Sequence, residues 1–494
     1  MFLKQVFLFL FIVFCAGFPG TDSRAAMEAA GSGKETKIKP EKKAFRREPL
    51  SPKQKERKSR ALAHYSMGVI YDDRGKPALA AGEYRKSLKY NPGSALARLR
   101  LGVDYLVLGK EKEALSEFEK VKKFYPGSSE ARFLLALVYT SKNKFPEAQK
   151  EYEKIIEQNP ENLRALSSLA DLFVIQERIE EAEKVYERLI EKEPDNPVLR
   201  FNLGVIYNRL KEPDRALGEI EKALELYPDY LEAHIAYGIL NEEKGDHEKA
   251  IKSYEKVLKL DPLNVKIYMR LAETFIKYDK PDRAADQYKI VLNIDPDNLD
   301  AYLLLSYIYT KEKRYREALD TLSKAREKDP DNGTVFFYLG VVYERMSAKG
   351  MTLGGKNERE LAILNFRKSI EYNPAAPDAY NYLGYMYAEA GINLDEAVKL
   401  AEKALEISPN KAAYIDSLGW AYFKKGMIDE AVRELEKAAS IEKEDPVILE
   451  HLGDAYFAKG LYNKARARWE KALELDPKRD GIRKKLRGLK YKLR

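Results

Sequence analysis

The residues that come nearest to a recognisable chemistry are Gly350-Met-Thr-Leu-Gly-Gly355-Lys356, which fit the G-x4-G-K part of a phosphate-binding loop. That chemistry needs a strand before the loop and a Ser or Thr after the lysine to reach magnesium. Here Asn357 takes that place and no strand pattern precedes it. The segment reads instead as a ten-residue insertion between two helices, roughly 346–357, either a tolerated bulge or a partner contact. The four histidines do not assemble an acid–base or metal set: His64 and His234 occupy large-residue positions on amphipathic stretches, His247 falls in an expected turn, and His451 lies on a helix without a partner motif. There is no HExxH, no Cys/His cluster and no Ser-centred elbow, so no catalytic residue, metal, cofactor or small-molecule substrate is expected.

The single cysteine, Cys15, ends an apolar run from Val6 to Phe14 that follows Lys4. A short charged region and then a hydrophobic core of this length have the form of an export signal. A bilayer span needs about 20 apolar residues, and Gly17, Pro19 and Gly20 end this run early. Residues 1–26 are therefore expected to be a signal peptide or an N-terminal anchor, and the chain to be exported, periplasmic or held to a membrane through its N-terminus. Ile12-Val13-Phe14-Cys15 resembles a bacterial lipobox, which makes Cys15 a candidate for lipidation, although Phe14 replaces the usual small residue. Residues 27–60 contain Pro40, Pro49 and Pro52 and few sizeable apolar groups, and are expected to be a basic disordered linker.

The net charge of +8 is uneven: residues 1–60 carry +8, residues 478–494 carry another +8, and the body between them carries −8. A body of that sign is a poor nucleic-acid surface. The basic tails are candidates for contact with anionic lipid, or are simply solvated.

The element that would position any site is a repeat. A small residue recurs every 34 residues, at Gly68, Gly102, Ala136, Ala170, Gly204, Gly238, Ala272, Ser306 and Gly340, and then at Gly384, Gly419 and Gly453. Twelve residues after each, in the regular units, comes an alanine such as Ala80, Ala114 or Ala148, and a proline such as Pro92, Pro126 or Pro160 closes all but one unit. Two helices that meet at small residues can approach closely. Aromatic residues fill the neighbouring space, among them Tyr71, Tyr105, Tyr84 and Phe118, and this accounts for much of the count of 33 tyrosines. The proline stops one unit before the next begins.

This pattern resembles the tetratricopeptide repeat (TPR), with twelve units over residues 61–479. The resemblance implies an all-α, right-handed superhelical solenoid of about twelve helix pairs, each packed against its neighbours. Residues 480–494 have the character of a basic capping helix, with Ile482, Leu486 and Leu489 inward and the cations toward water; binding of anionic lipid or an acidic partner is the alternative use.

In the family, first-helix positions two, five, nine, twelve and thirteen line an inner groove. Chaperone-binding members place Lys, Asn and Arg there to clamp a terminal carboxylate; this chain departs from that pattern, with Leu99, Phe133, Phe201 and Phe337 among its fifth positions. The resemblance thus implies an apolar, aromatic groove with interleaved acids such as Asp171, Glu273, Asp416 and Asp454. Phe133, Phe201, Phe337, Tyr382, Tyr385 and Trp420 are the candidate partner-binding residues, for an extended or helical apolar segment. The alternative is that many of them are buried between neighbouring helices. Residues 378–438 also resemble a class of exported bacterial TPR proteins that includes outer-membrane lipoproteins and adaptors of a periplasmic carboxyl-terminal processing protease. The expected function is a non-catalytic scaffold or adaptor in the cell envelope, bound to an envelope client or protease. A structural part of a secretion, pilus or polysaccharide-export assembly is the alternative.

Overall fold

The computed structural model describes residues 51–350 and 357–489. The export signal, Cys15, most of the expected linker, residues 351–356 of the insertion and the last five residues lie outside this range.

Every regular element among the described residues is an α-helix, and the helices come in pairs. They are Pro52–Asp73 (α1) with Pro77–Tyr90 (α2), Ala95–Val107 (α3) with Glu111–Phe124 (α4), Ser129–Ser141 (α5) with Phe145–Gln158 (α6), and Leu163–Ile175 (α7) with Ile179–Lys192 (α8). Next come Pro197–Arg209 (α9) with Pro213–Leu226 (α10), Leu231–Lys244 (α11) with His247–Leu260 (α12), Val265–Lys277 (α13) with Pro281–Ile294 (α14), and Leu299–Lys311 (α15) with Tyr315–Lys328 (α16). The last four pairs are Gly333–Ala348 (α17) with Glu358–Tyr372 (α18), Pro377–Ala390 (α19) with Leu394–Ile407 (α20), Ala412–Lys425 (α21) with Ile428–Ile441 (α22), and Pro446–Ala458 (α23) with Tyr462–Leu475 (α24); Asp480–Leu489 (α25) follows alone. Twelve pairs and a terminal helix match the expected architecture. His247, expected in a turn, opens α12.

The junctions explain the regularity. In seven units, two residues after the closing proline stands a Ser or Asn whose side chain accepts a backbone N–H of the next helix, as Ser94 from Ala97, Asn162 from Ala165 and Asn298 from Ala301. Ala376 and Lys411 take that place without a side-chain cap. The unit that has Lys443 in place of proline keeps the cap, because Asp445 accepts from Val447 and Ile448. Within a pair, the turn needs one left-handed residue. Glycine supplies it at Gly75, Gly109 and Gly426, among others, but Asn143, Glu177, Lys211, Asp279 and Lys313 also stand there with φ from 53° to 62°.

The pair contact is as close as the small residues suggest. A Cβ added to Gly68 would lie 2.5 Å from the Tyr84 ring. The second-helix aromatics Tyr84, Phe118, Tyr254, Tyr288 and Phe366 are fully buried. First-helix rings are covered by a cation from the start of the second helix, as by Arg178 over Phe173 at 4.4 Å and Arg215 over Tyr207 at 3.8 Å.

Three expectations change in detail. Helix α1 begins nine residues inside the stretch expected to be linker, because Ser51 and Gln54 form a reciprocal capping box and the residues after Pro52 are good helix formers. Helix α17 runs on to Ala348 with Met346 buried, and Asn357 caps α18, so the helices take up part of the expected insertion. On α25, Ile482 and Leu489 are buried as expected, but one cation is not turned to water: Lys485 Nζ lies 2.7 and 2.6 Å from the Asp454 carboxylate and 2.9 Å from Glu450 Oε1.

The chain forms two compact bodies, one ending at Leu240 and the other starting at Asn241. None of the described helices is long and apolar enough to cross a membrane.

Candidate functional site

The first helices of the second body bring aromatic residues of successive units together. Phe337 on α17 meets Tyr382 on α19 edge-on, with centroids 5.5 Å apart, and Tyr382 stacks on the buried Phe366 at 5.5 Å. Tyr307 on α15 is 47% exposed. Tyr338 is edge-on to Phe337 with centroids 5.7 Å apart; burial raises its hydroxyl pKa, and Tyr307, Asp378 and Tyr382 raise it further. Tyr385 packs in the same cluster as Phe337 and Tyr382. Burial pushes its hydroxyl up, followed by the carboxylates of Glu389, Asp416 and Glu344.

The six sequence-derived groove residues divide. Phe337, Tyr382 and Tyr385 are half-buried and lie together on this face, and Phe201, in the first body, is half-buried against Tyr230 at 5.1 Å. Phe133 and Trp420 are not free anchors. Phe133 is 4% exposed, edge-on to Tyr152 and covered by the Arg164 guanidinium at 3.7 Å. Trp420 is 6% exposed, sandwiched between Phe423 at 4.9 Å and His451 at 4.0 Å, and its Nε1 donates to Glu389 Oε2 at 2.8 Å. In both, a residue of the following unit closes over the ring.

Trp420 brings out a pair that the sequence reading missed. His451 Nδ1 lies 3.0 Å from both oxygens of Asp416, and both residues are buried. The two are 35 residues apart, so the signal was the repeat itself: residues one period apart on first helices become neighbours. Glu130 and Arg164 follow the same rule at a separation of 34, with a 3.3 Å contact. The other histidines have local roles: His64 Nδ1 lies 2.6 Å from Glu83 Oε2, and His234 Nε2 lies 2.9 Å from the Pro228 carbonyl.

Two acids on the first helices lack a full set of donors. Glu344 Oε2 on α17 is buried without a hydrogen-bond partner, and burial holds the carboxyl above its usual pKa. The adjacent Arg345 places Nε 3.5 Å from that oxygen, outside hydrogen-bond geometry, and its side chain is 57% exposed. In the first body, Asp104 Oδ2 is likewise unpartnered; burial raises this carboxyl, and so does the facing carboxyl of Asp72. Among the described residues, no group of His, Cys, Asp and Glu could hold a metal ion. The face offers aromatic surface and partly satisfied carboxylates.

Models of the tetratricopeptide repeat match residues 65–129, 133–197, 169–230, 201–265 and 347–412, which is more than half of the chain, and further repeat models match 242–290, 276–336, 419–460 and 446–479. The chain belongs to the tetratricopeptide-repeat family. At that level it is a protein–protein interaction scaffold. No curated protein matches it. Among solved structures, this TPR chain is similar to yeast Tom70, with 18% identity, 82% of this chain and 96% of that one covered, and a TM-score of 0.38. It is also similar to the APC/C hetero-tetramer Cut9–Hcn1, with 14% identity, 89% and 96% covered, and a TM-score of 0.43. A third similar structure is the C-terminal part of a TPR repeat-containing protein from Cytophaga hutchinsonii, with 19% identity, 49% and 99% covered, and a TM-score of 0.44.

Proposed function

We propose that this TPR protein is an exported scaffold or adaptor of the bacterial cell envelope, and that it holds a segment of a client protein or an envelope protease along the first helices of its second body. The observation that carries the binding reading is the cluster of half-buried Phe337, Tyr338, Tyr382 and Tyr385 on α17 and α19, with the exposed Tyr307 on α15 before it. Clustered aromatic side chains of this kind are the usual anchors of protein interfaces. The apolar run Val6–Phe14 and the lipobox-like Cys15 support export.

Crosslinking co-purification of the tagged chain from envelope fractions tests both halves of this reading. A Tyr307→Ala, Tyr385→Ala variant is run beside the native chain after circular dichroism has shown it to be helical. One enriched partner that disappears with the variant is the expected result. Partners that stay bound would point to an assembly component held through other faces. Recovery of the chain only outside the envelope fractions would overturn the location.

A further inference from the structure

The Glu344 position occurs twice more in the chain, there with its donors in place. Four residues beyond the small residue of the first helix stand Asp72, Glu242 and Glu344, in units one, six and nine. Glu242 accepts from Tyr254 Oη at 3.0 Å on the second helix of its own unit, and from Arg270 Nε at 3.0 Å and Lys277 Nζ at 2.5 Å on the first helix of the next unit. At Asp72, the same two helices supply Tyr84 Oη at 2.5 Å and the Arg100 guanidinium at 3.6 Å.

In unit nine the same register gives different residues. Phe366 stands where Tyr84 and Tyr254 stand, Tyr382 stands where Arg100 and Arg270 stand, and Glu389 stands where Lys277 stands. Each donor that satisfies Glu242 is therefore absent at Glu344, and one of them has become a second acid. The titration behaviour of the two sites diverges accordingly. At Glu242, burial pushes the carboxyl up, but Lys277, Tyr254 and Arg270 together bring it below its usual value; at Glu344, burial prevails. On the next first helix, Asn381 Oδ1 is another buried acceptor without a partner.

Glu344 Oε2 is buried without a hydrogen bond although the side chain as a whole is 24% exposed, and the cation beside it, Arg345, stands 3.5 Å away with most of its own side chain in solvent. An acceptor left in this state gains from a donor that reaches it directly. The surroundings of Glu344 are aromatic and acidic. Burial raises the hydroxyl pKa of both Tyr382 and Tyr385, and the Glu344 carboxylate raises both further. Glu389, which accepts from Trp420 Nε1 and has Lys424 at 3.6 Å, raises that of Tyr385 as well. Acids beside rings hold cations within the chain itself, and the capture at its last helix shows the arrangement. Lys485 on α25 is held by Asp454 and Glu450, with its ammonium 5.9 Å from the Trp469 ring.

We propose that Glu344, assisted by Glu389 and the rings of Tyr382 and Tyr385, receives one arginine or lysine side chain from the partner segment that lies along this face. The inference rests on the binding face proposed above and names the chemistry of its occupant: a basic residue set in an apolar stretch, complementary to the carboxylates of Glu344 and Glu389. The occupant thus has the opposite sign to the terminal carboxylate taken by chaperone-binding repeats.

The probe is a fluorescein-labelled heptapeptide of alternating leucine and serine with a central arginine, compared with the same peptide carrying citrulline, which keeps the shape and removes the charge. Fluorescence anisotropy is read with the native chain, with Glu344→Gln, and with a Phe366→Tyr, Tyr382→Arg variant that rebuilds the Glu242 arrangement in place. The native chain is expected to favour the arginine peptide by roughly tenfold. Glu344→Gln should abolish that preference, and the rebuilt variant should lose arginine binding because its own guanidinium fills the position. Equal binding of the two peptides, both lost in Tyr307→Ala, Tyr385→Ala, would overturn the cation site and leave the aromatic face standing. No saturable arginine binding up to millimolar concentration would also overturn it, with the face then judged by co-purification alone.

Discussion

Glu242 and Glu344 share one place in the repeat and differ in their donors, so the same change at each should have opposite effects. Glu242→Gln loses contacts to Tyr254, Arg270 and Lys277 and is expected to cost about 1 kcal/mol, discounted because both cations are partly exposed. Glu344→Gln removes a charge that burial disfavours and that only the exposed Arg345, at 3.5 Å, offsets, so the free protein should be no less stable and up to about 1 kcal/mol more stable. The pH dependence follows from the directions. Glu242 is held below its usual value, so its contribution is present at neutral pH and disappears as pH falls through its folded-state pKa. Glu344 is held above its usual value, so it destabilises the fold as pH rises past the ordinary carboxylate range, and acid relieves that penalty. Urea unfolding of both variants at pH 4 and pH 7 checks this. Equal losses from the two at pH 7 would show that Glu344 is satisfied within the chain.

At the scale of the helix pair, the turn residues set a second expectation. Lys211 and Glu177 occupy a left-handed conformation that glycine adopts in other units. An L side chain there costs about 1–2 kcal/mol, partly offset by the greater chain entropy that glycine loses on folding. Lys211→Gly should therefore stabilise the protein by about 0.5 kcal/mol, seen as a higher urea midpoint with an unchanged slope. The sequence exposed most of this level. The 34-residue spacing of Gly68, Gly102 and their successors gave the pairs, and their small size gave the close contact with Tyr84 and Phe118. The start of α1 was hidden because Ser51 and Gln54 act through the backbone, with almost no apolar pattern around them. The site was only half legible. Position within the repeat put Phe337, Tyr382 and Tyr385 on one face, but it could not say that Arg164 would cover Phe133 or that His451 would stack on Trp420. Those covers come from the next unit, and only pairing residues one period apart reveals them. The deficit at Glu344 needed that comparison too, because no single unit shows what another unit supplies.

At the scale of the whole molecule, a repeat array is stabilised by each unit's contact with its neighbour. Ile482 and Leu489 are seated in the core cluster built from α22, α23 and α24. Ile482→Asp should therefore open the C-terminal units first. Hydrogen exchange should show amide protection falling in α21–α24, while the first body exchanges at its native rate. Uniform acceleration across both bodies would contradict nearest-neighbour coupling. Lys485 adds a consequence of another kind. A stack of identical contacts has no intrinsic length limit, and head-to-tail joining of such surfaces gives open filaments. By occupying Asp454 and Glu450 while Ile482 and Leu489 cover the apolar face of α23 and α24, α25 takes the contacts that a copy of the repeat stacked on this face would otherwise make.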